Sequence, residues 1–159
     1  CLIFTAPAVA EEKVLKLYGR CLKDFYADEI AISDTIGVAT PLQVNKMLKS
    51  LKQEFGLKQS ALHFHDTRGM ALANVLVGLE NGVTTFDSAA GGLGGCPYAK
   101  GATGNLATED LVYLLESLGV KTGIDMEALV AASEFIFSKV GKESTSKYLV
   151  SYLKSRENE

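Results

Sequence analysis

Four repeats of strand, loop and helix predict an α/β fold with parallel strands, built as half of a (β/α)8 TIM-type barrel. Three observations carry this. Between residues 2 and 119, apolar alternation at period two gives way four times to apolar spacings of three and four. Such alternation implies parallel strands joined by right-handed crossovers. The chain has 159 residues, short of the roughly 200 or more that a closed barrel needs. The most glycine-rich loop follows the fourth predicted strand, whereas a nucleotide-binding sheet of the usual kind carries its glycine motif after the first. On pattern alone an open, flavodoxin-like sheet remains the competing arrangement.

Residues 2–5 are predicted as the first strand, with a loop around Pro7. Val14, Tyr18, Cys21, Leu22 and Phe25 fall at helical spacing and predict a helix over 11–26. Ile30 and Ile32 alternate in a second strand over 28–33, followed by the loop Asp34-Thr35-Ile36-Gly37. Thr40-Pro41 is a helix start, a capping hydroxyl before proline at the first helical position. Val44, Met47, Leu48, Leu51 and Phe55 form that helix's apolar stripe, and Gly56 ends it. The third strand is expected over 61–65 and the third helix over 70–79, with Asn81-Gly82 as its stop. The fourth strand, 83–87, leads into a loop running from Gly91 to Asn105. Thr108 is expected to cap the next helix, with Glu109 and Asp110 favourable at its positive end.

After Gly119 the rhythm changes. Asp125 caps a helix over 126–140 that Gly141 stops, and a last helical stretch covers 146–154 before a polar tail. The expected organisation is a half-barrel over 1–119 and a helical extension over 120–159, within one structural domain.

Hydrophobic residues make up 47% and charged residues 22% of the chain, an ordinary globular balance. A net charge of −3 with dispersed basic residues argues against a nucleic-acid surface. The apolar runs are far shorter than a membrane span, and nothing at the start reads as a signal peptide. Three widely spaced cysteines do not make a disulfide framework. A reducing compartment is expected: the cytoplasm, or the mitochondrial matrix if the source is eukaryotic. The opening Cys1-Leu2-Ile3-Phe4 is already strand-like and has no initiating Met. The expectation is a piece of a longer protein, or the remainder after a tag was removed.

The chain's two histidines are His63 and His65. In a strand, residues i and i+2 share a face about 6–7 Å apart, so two such imidazoles can converge on one divalent cation. Alone, His-x-His is equally the pattern of two unpartnered loop histidines. These two lie at the C-terminal end of a predicted strand, where α/β proteins place their chemistry. Asp34, Cys96 and Asn105 fall in βα loops on the same face of the sheet. Two imidazoles and an oxygen donor suit a hard or borderline divalent ion open on one side. Each loop residue also has a plainer role. Asp34 suits a turn cap, Cys96 a small inert residue, Asn105 a turn or helix cap, and Tyr98 loop packing. A cysteine among glycines is nevertheless more exposed and reactive than a buried one. Cys1 and Cys21 sit at structural positions.

The runs Ser33-Asp34-Thr35-Ile36-Gly37, His63-Phe64-His65-Asp66-Thr67-Arg68-Gly69, Gly91-Gly92-Leu93-Gly94-Gly95-Cys96-Pro97-Tyr98-Ala99 and Gly104-Asn105-Leu106-Ala107-Thr108-Glu109-Asp110 resemble the hydroxymethylglutaryl-CoA lyase family. The resemblance covers about residues 1–149. The His-x-His-Asp-Thr element is shared with a wider group of metal-dependent lyases and synthases, and the Gly-Gly-Cys-Pro-Tyr loop is more specific to the lyase. Two departures are visible: Arg68 stands where the lyase often has Tyr, and Ala89-Ala90-Gly91 is smaller than the usual signature.

The resemblance implies that His63 and His65 ligate Mg2+ or Mn2+, with Asn105 as an oxygen ligand. Cys96 would be the thiol assisting proton transfer, Asp34 a catalytic carboxylate near the substrate hydroxyl, and His63 a proton shuttle as well as a ligand. The implied reaction cleaves an acyl-CoA thioester, 3-hydroxy-3-methylglutaryl-CoA, to acetyl-CoA and acetoacetate. The family's first-strand motif, an arginine and a metal-binding aspartate, has no match here. The chain therefore resembles the C-terminal half of the enzyme. A homodimer or a partner half-barrel is expected, with little activity in the piece alone. A related synthase or aldolase, and a metal-binding half-barrel without turnover, are the alternatives.

Overall fold

The computed structural model describes residues 2–5, 10–95 and 104–156. Four parallel strands form one sheet in the order β1-β2-β3-β4: β1 Leu2–Ile3, β2 Ile30–Asp34, β3 Ser60–Phe64 and β4 Thr85–Asp87. The intervening helices are α1 Glu11–Lys23, α2 Pro41–Glu54 and α3 Ala71–Asn81, with α4 Thr108–Ser117 after β4. Strand order equal to chain order separates the two architectures that pattern alone left open. A flavodoxin-like sheet reverses direction from its first strand, in the order 2-1-3-4-5, whereas a barrel segment never does.

The sheet's two faces differ. Ile30, Ile32, Leu62 and Phe64 are buried against Val14 and Tyr18 of α1, Val44, Leu48 and Leu51 of α2, and Val75 of α3. Burial of each such side chain contributes about 1.5–3 kcal/mol. Leu2 and Phe4 join this core, and Phe4 N–H donates to Ser33 C=O, carrying the ladder one residue past β1. The opposite face presents Ile3, Ala31, Ser33, Ala61, His63, Thr85 and Asp87 by alternation. It is small and polar, the composition of a barrel lumen rather than of a helix-covered sheet.

Local signals set most element ends. Thr40 forms a full capping box with Gln43 at the start of α2, and Pro41 fills the first turn. Gly82 closes α3 at φ 96° and Gly141 closes α5 (Met126–Val140) at φ 62°, conformations that glycine adopts without strain. Asp125 caps α5 by accepting from Glu127 N–H and Ala128 N–H. Two expectations shift. The first helix stops at Lys23 rather than running to residue 26, because the chain turns at Tyr26 with φ 50°. Thr108 does not cap α4. Ala107 holds the cap position, and the Thr108 hydroxyl pairs with Ser88 at 2.9 Å.

The face of α1 that meets α2 carries a titratable clamp. Glu11 pairs with Lys46 at 2.7 Å and accepts from the Ser50 hydroxyl at 2.5 Å. The Lys46 contact, helped by Ser50, lowers the Glu11 pKa from its ordinary 4.5. A carboxyl depressed by folding stabilises the fold above its unfolded pKa, and that contribution fades as pH falls through the folded value. We therefore expect the urea midpoint to fall more steeply below pH 4.5 in the parent than in Glu11→Gln. Parallel pH profiles for the two would show the clamp to be without effect.

Past α4, α5 and α6 (Lys147–Arg156) form the extension. It docks through α4's first turn, where Asp110 accepts from the Ser146 hydroxyl, Lys147 N–H and Tyr148 N–H. The Asp110 carboxylate thus caps α6 from another helix, and Leu149 is buried beneath.

Candidate metal centre

The site grows from the end of β3. His63 is the fourth residue of that strand, facing the polar side of the sheet. His65 lies just beyond the strand, its N–H donating to Asp34 C=O at 3.1 Å. Their ring centroids are 5.2 Å apart, edge to face. His65 forms an antiparallel bridge with Asn105, flanked by bonds from Leu106 N–H to Phe64 C=O and Asp66 N–H to Gly104 C=O. The far end of the glycine-rich loop is thereby stitched to the histidine segment, and three expected ligands come together.

Asn105 is oriented as well as placed. Its Nδ2 donates to Leu93 C=O at 2.9 Å, so the amide oxygen is the end left to accept. Gly94, at φ 100°, makes room for that amide; a Cβ there would lie 2.7 Å from Asn105 Nδ2. Two imidazoles and one amide oxygen fit the donor set of a borderline to hard divalent cation. Among the described residues no cluster of three His, Cys, Asp or Glu side chains forms.

Burial lowers the His63 pKa below the ordinary histidine value, and His65 pushes the same way. The Asp87 carboxylate, with Oδ2 3.4 Å from His63 Nδ1, pulls against that shift, as does Asp34. A ring held neutral is the form that binds a metal.

Asp34 is placed differently from the histidines. It pairs in register with Phe64, so alternation turns it toward the helices rather than the face of His63. It is 1% exposed. Its Oδ1 accepts Val38 N–H at 3.1 Å and its Oδ2 accepts Ala39 N–H at 2.7 Å, which organises the loop into α2. Asn74 supports the same loop by donating to Ala39 C=O. Cys96 and Tyr98, and with them Cys1, lie outside the described residues. Cys21 is half-buried against the core.

Two acidic residues gain parts that the local sequence does not reveal. Glu109, fully buried, accepts Gly91 N–H with both carboxylate oxygens (3.0 and 2.8 Å) and also the Ser133 hydroxyl of α5. Gly91 C=O in turn accepts from the Ser144 hydroxyl and Thr145 N–H. The base of the glycine-rich loop is thus held at both the N–H and the C=O of one residue by the extension and α4. Asp87, the other residue, touches His63. Its only sequence signal was its place at the C-terminal end of a strand.

The parallel sheet in chain order and its covering helices define half of a (β/α)8 barrel. The HMGL-like family pattern matches residues 6–136, and the chain belongs to that family. It is 49% identical over 138 residues to hydroxymethylglutaryl-CoA lyase YngG of Bacillus subtilis, covering 87% of this chain and 46% of that protein. The solved HMG-CoA lyase of Bacillus subtilis superposes with a TM-score of 0.85 at 48% identity, over 91% of this chain and 48% of that one. The HMG-CoA lyase of Acinetobacter baumannii, in complex with coenzyme A and 3-methylmalate, gives 0.81 at 40% identity, over 87% and 45%. The chain thus spans about half the length of the relatives it matches. Relatives named as mitochondrial and as cytoplasmic both occur. No helix among the described residues is long and apolar enough to cross a membrane.

Proposed function

We propose that the protein carrying this chain is a divalent-metal-dependent carbon–carbon lyase that cleaves 3-hydroxy-3-methylglutaryl-CoA to acetyl-CoA and acetoacetate. The observation that carries this is the convergence of His63, His65 and an Asn105 whose oxygen is left free to accept. His63, His65 and Asn105 would hold Mg2+ or Mn2+. When bound, the cation supplies Lewis-acid polarisation of the substrate's hydroxyl and carboxylate oxygens.

Asp34 would hold the loop beside the site through Val38 and Ala39 N–H and set negative charge near His63, which would accept the proton of the substrate hydroxyl. Loss of that proton forms the ketone of acetoacetate as the adjacent C–C bond breaks, and the electron pair passes to the acetyl-CoA enolate. Cys96 would give the enolate its proton before release. A carboxylate ligand would come from outside this chain, supplied by a preceding half-barrel or a second copy. Three cysteines at wide spacing suit a reducing compartment, the cytoplasm or a mitochondrial matrix.

Acetoacetate release from the thioester, followed in the full-length protein, tests the reading. We expect turnover that requires added Mg2+ or Mn2+, stops with chelator and falls at least a hundredfold in Cys96→Ala. Condensation of acetyl-CoA with a keto acid, without cleavage, would instead identify a synthase. Metal binding with neither reaction would leave the non-catalytic reading.

A further inference from the structure

Two of the acidic residues that end or directly follow the strands are committed to backbone: Asp34 accepts from Val38 and Ala39 N–H, and Asp66 from Ala71 N–H. Among the described residues Asp87 has no such bond. It ends β4 in register with His63 of β3, so the two side chains leave neighbouring strands on the same face. Its Oδ2 lies 3.4 Å from His63 Nδ1, and among the described residues this is its one ion pair. The carboxylate therefore meets the ring at one nitrogen and leaves Nε2 as the nitrogen open toward other groups. Metal-binding histidines commonly give their second N–H to a carboxylate, which fixes tautomer and ring orientation.

We propose that Asp87 is a positioning residue for His63: it takes the Nδ1–H and turns Nε2 to the cation held with His65 and Asn105. The proposal rests on the metal-site reading above.

This chain contributes two histidines, and the spectra of His63→Gln and His65→Gln assign their signals in the full-length protein. Long-range 1H–15N spectra of the metal-free full-length protein, labelled at histidine, report each ring's tautomer without metal or turnover. At alkaline pH we expect His63 to be protonated at Nδ1 in the parent and in Asp87→Asn, which keeps an acceptor oxygen. Asp87→Ala should move it to the Nε2–H form that free histidine prefers, with His65 unchanged. Mn2+ affinity, read by EPR, should weaken about 10–100-fold in Asp87→Ala and much less in Asp87→Asn. An Asp87→Ala protein with the parent tautomer, or with the parent Mn2+ affinity, would overturn the assignment. A parent that shows the Nδ1–H tautomer but binds no Mn2+ would overturn the metal reading itself, and with it the purpose given to Asp87.

Discussion

Glu109→Ala is expected to destabilise the protein by about 3–5 kcal/mol, seen as a lower urea midpoint at an unchanged slope. The carboxylate is fully buried and serves two donors, Gly91 N–H and the Ser133 hydroxyl. Truncation strands both in a space too enclosed for bulk water and leaves a cavity between α4 and α5. Glu109→Gln retains the shape and one acceptor oxygen, and should lie between the two. Ser133→Ala removes one partner and spares Gly91, so its cost should stay near 1–2 kcal/mol. The alanine variant's loss should extend to the site, because Gly91 opens the segment that carries Leu93, the partner of Asn105. A Glu109→Ala protein within about 1 kcal/mol of the parent would show that solvent reaches these groups after all.

A polypeptide of these 159 residues alone should bind Mn2+ weakly and release no detectable acetoacetate. β1 and β4 each have a neighbour on one side only, and an exposed sheet edge is a template for another strand. The polar face that would line a barrel is open, with Ile3 43% exposed on it. Among the described residues His63 and His65 have no third His, Cys, Asp or Glu side chain grouped with them as a metal cluster. Light scattering on the same sample should reveal association through the open edges. Turnover matching a full-length lyase and abolished by Cys96→Ala would show that 159 residues suffice, as a pseudo-complete dimer.

Much of the fold was legible because its signals are local. Thr40-Pro41, Asp125, Gly82 and Gly141 act within one turn of their own helix, so spacing alone reveals them. His63 and His65 were legible as a pair for the same reason, being two residues apart. Glu109 and Asp110 do lie in the first turn of α4, where the helix dipole ordinarily explains acidic residues, and that local reading says nothing of their distant partners. Their real partners lie 18 to 38 residues away, at Gly91, Ser133, Ser146, Lys147 and Tyr148. Asp87 was missed because no period in its own strand shows which residue of β3 it will face. Register is a property of two strands, and only pairing fixed His63 opposite it.

The clamp on Gly91 also sets an order of events during synthesis. Asn105 and the histidines leave the ribosome well before Ser144 and Ser146, the residues that close the loop's base and start α6. The two ends of that clamp are 53 residues apart in the chain. A nascent chain that has reached α4 thus holds every ligand named here yet lacks part of their support. The site is finished from behind, by the last helix described, and a cation present during translation would meet a looser set of donors than it meets in the completed fold.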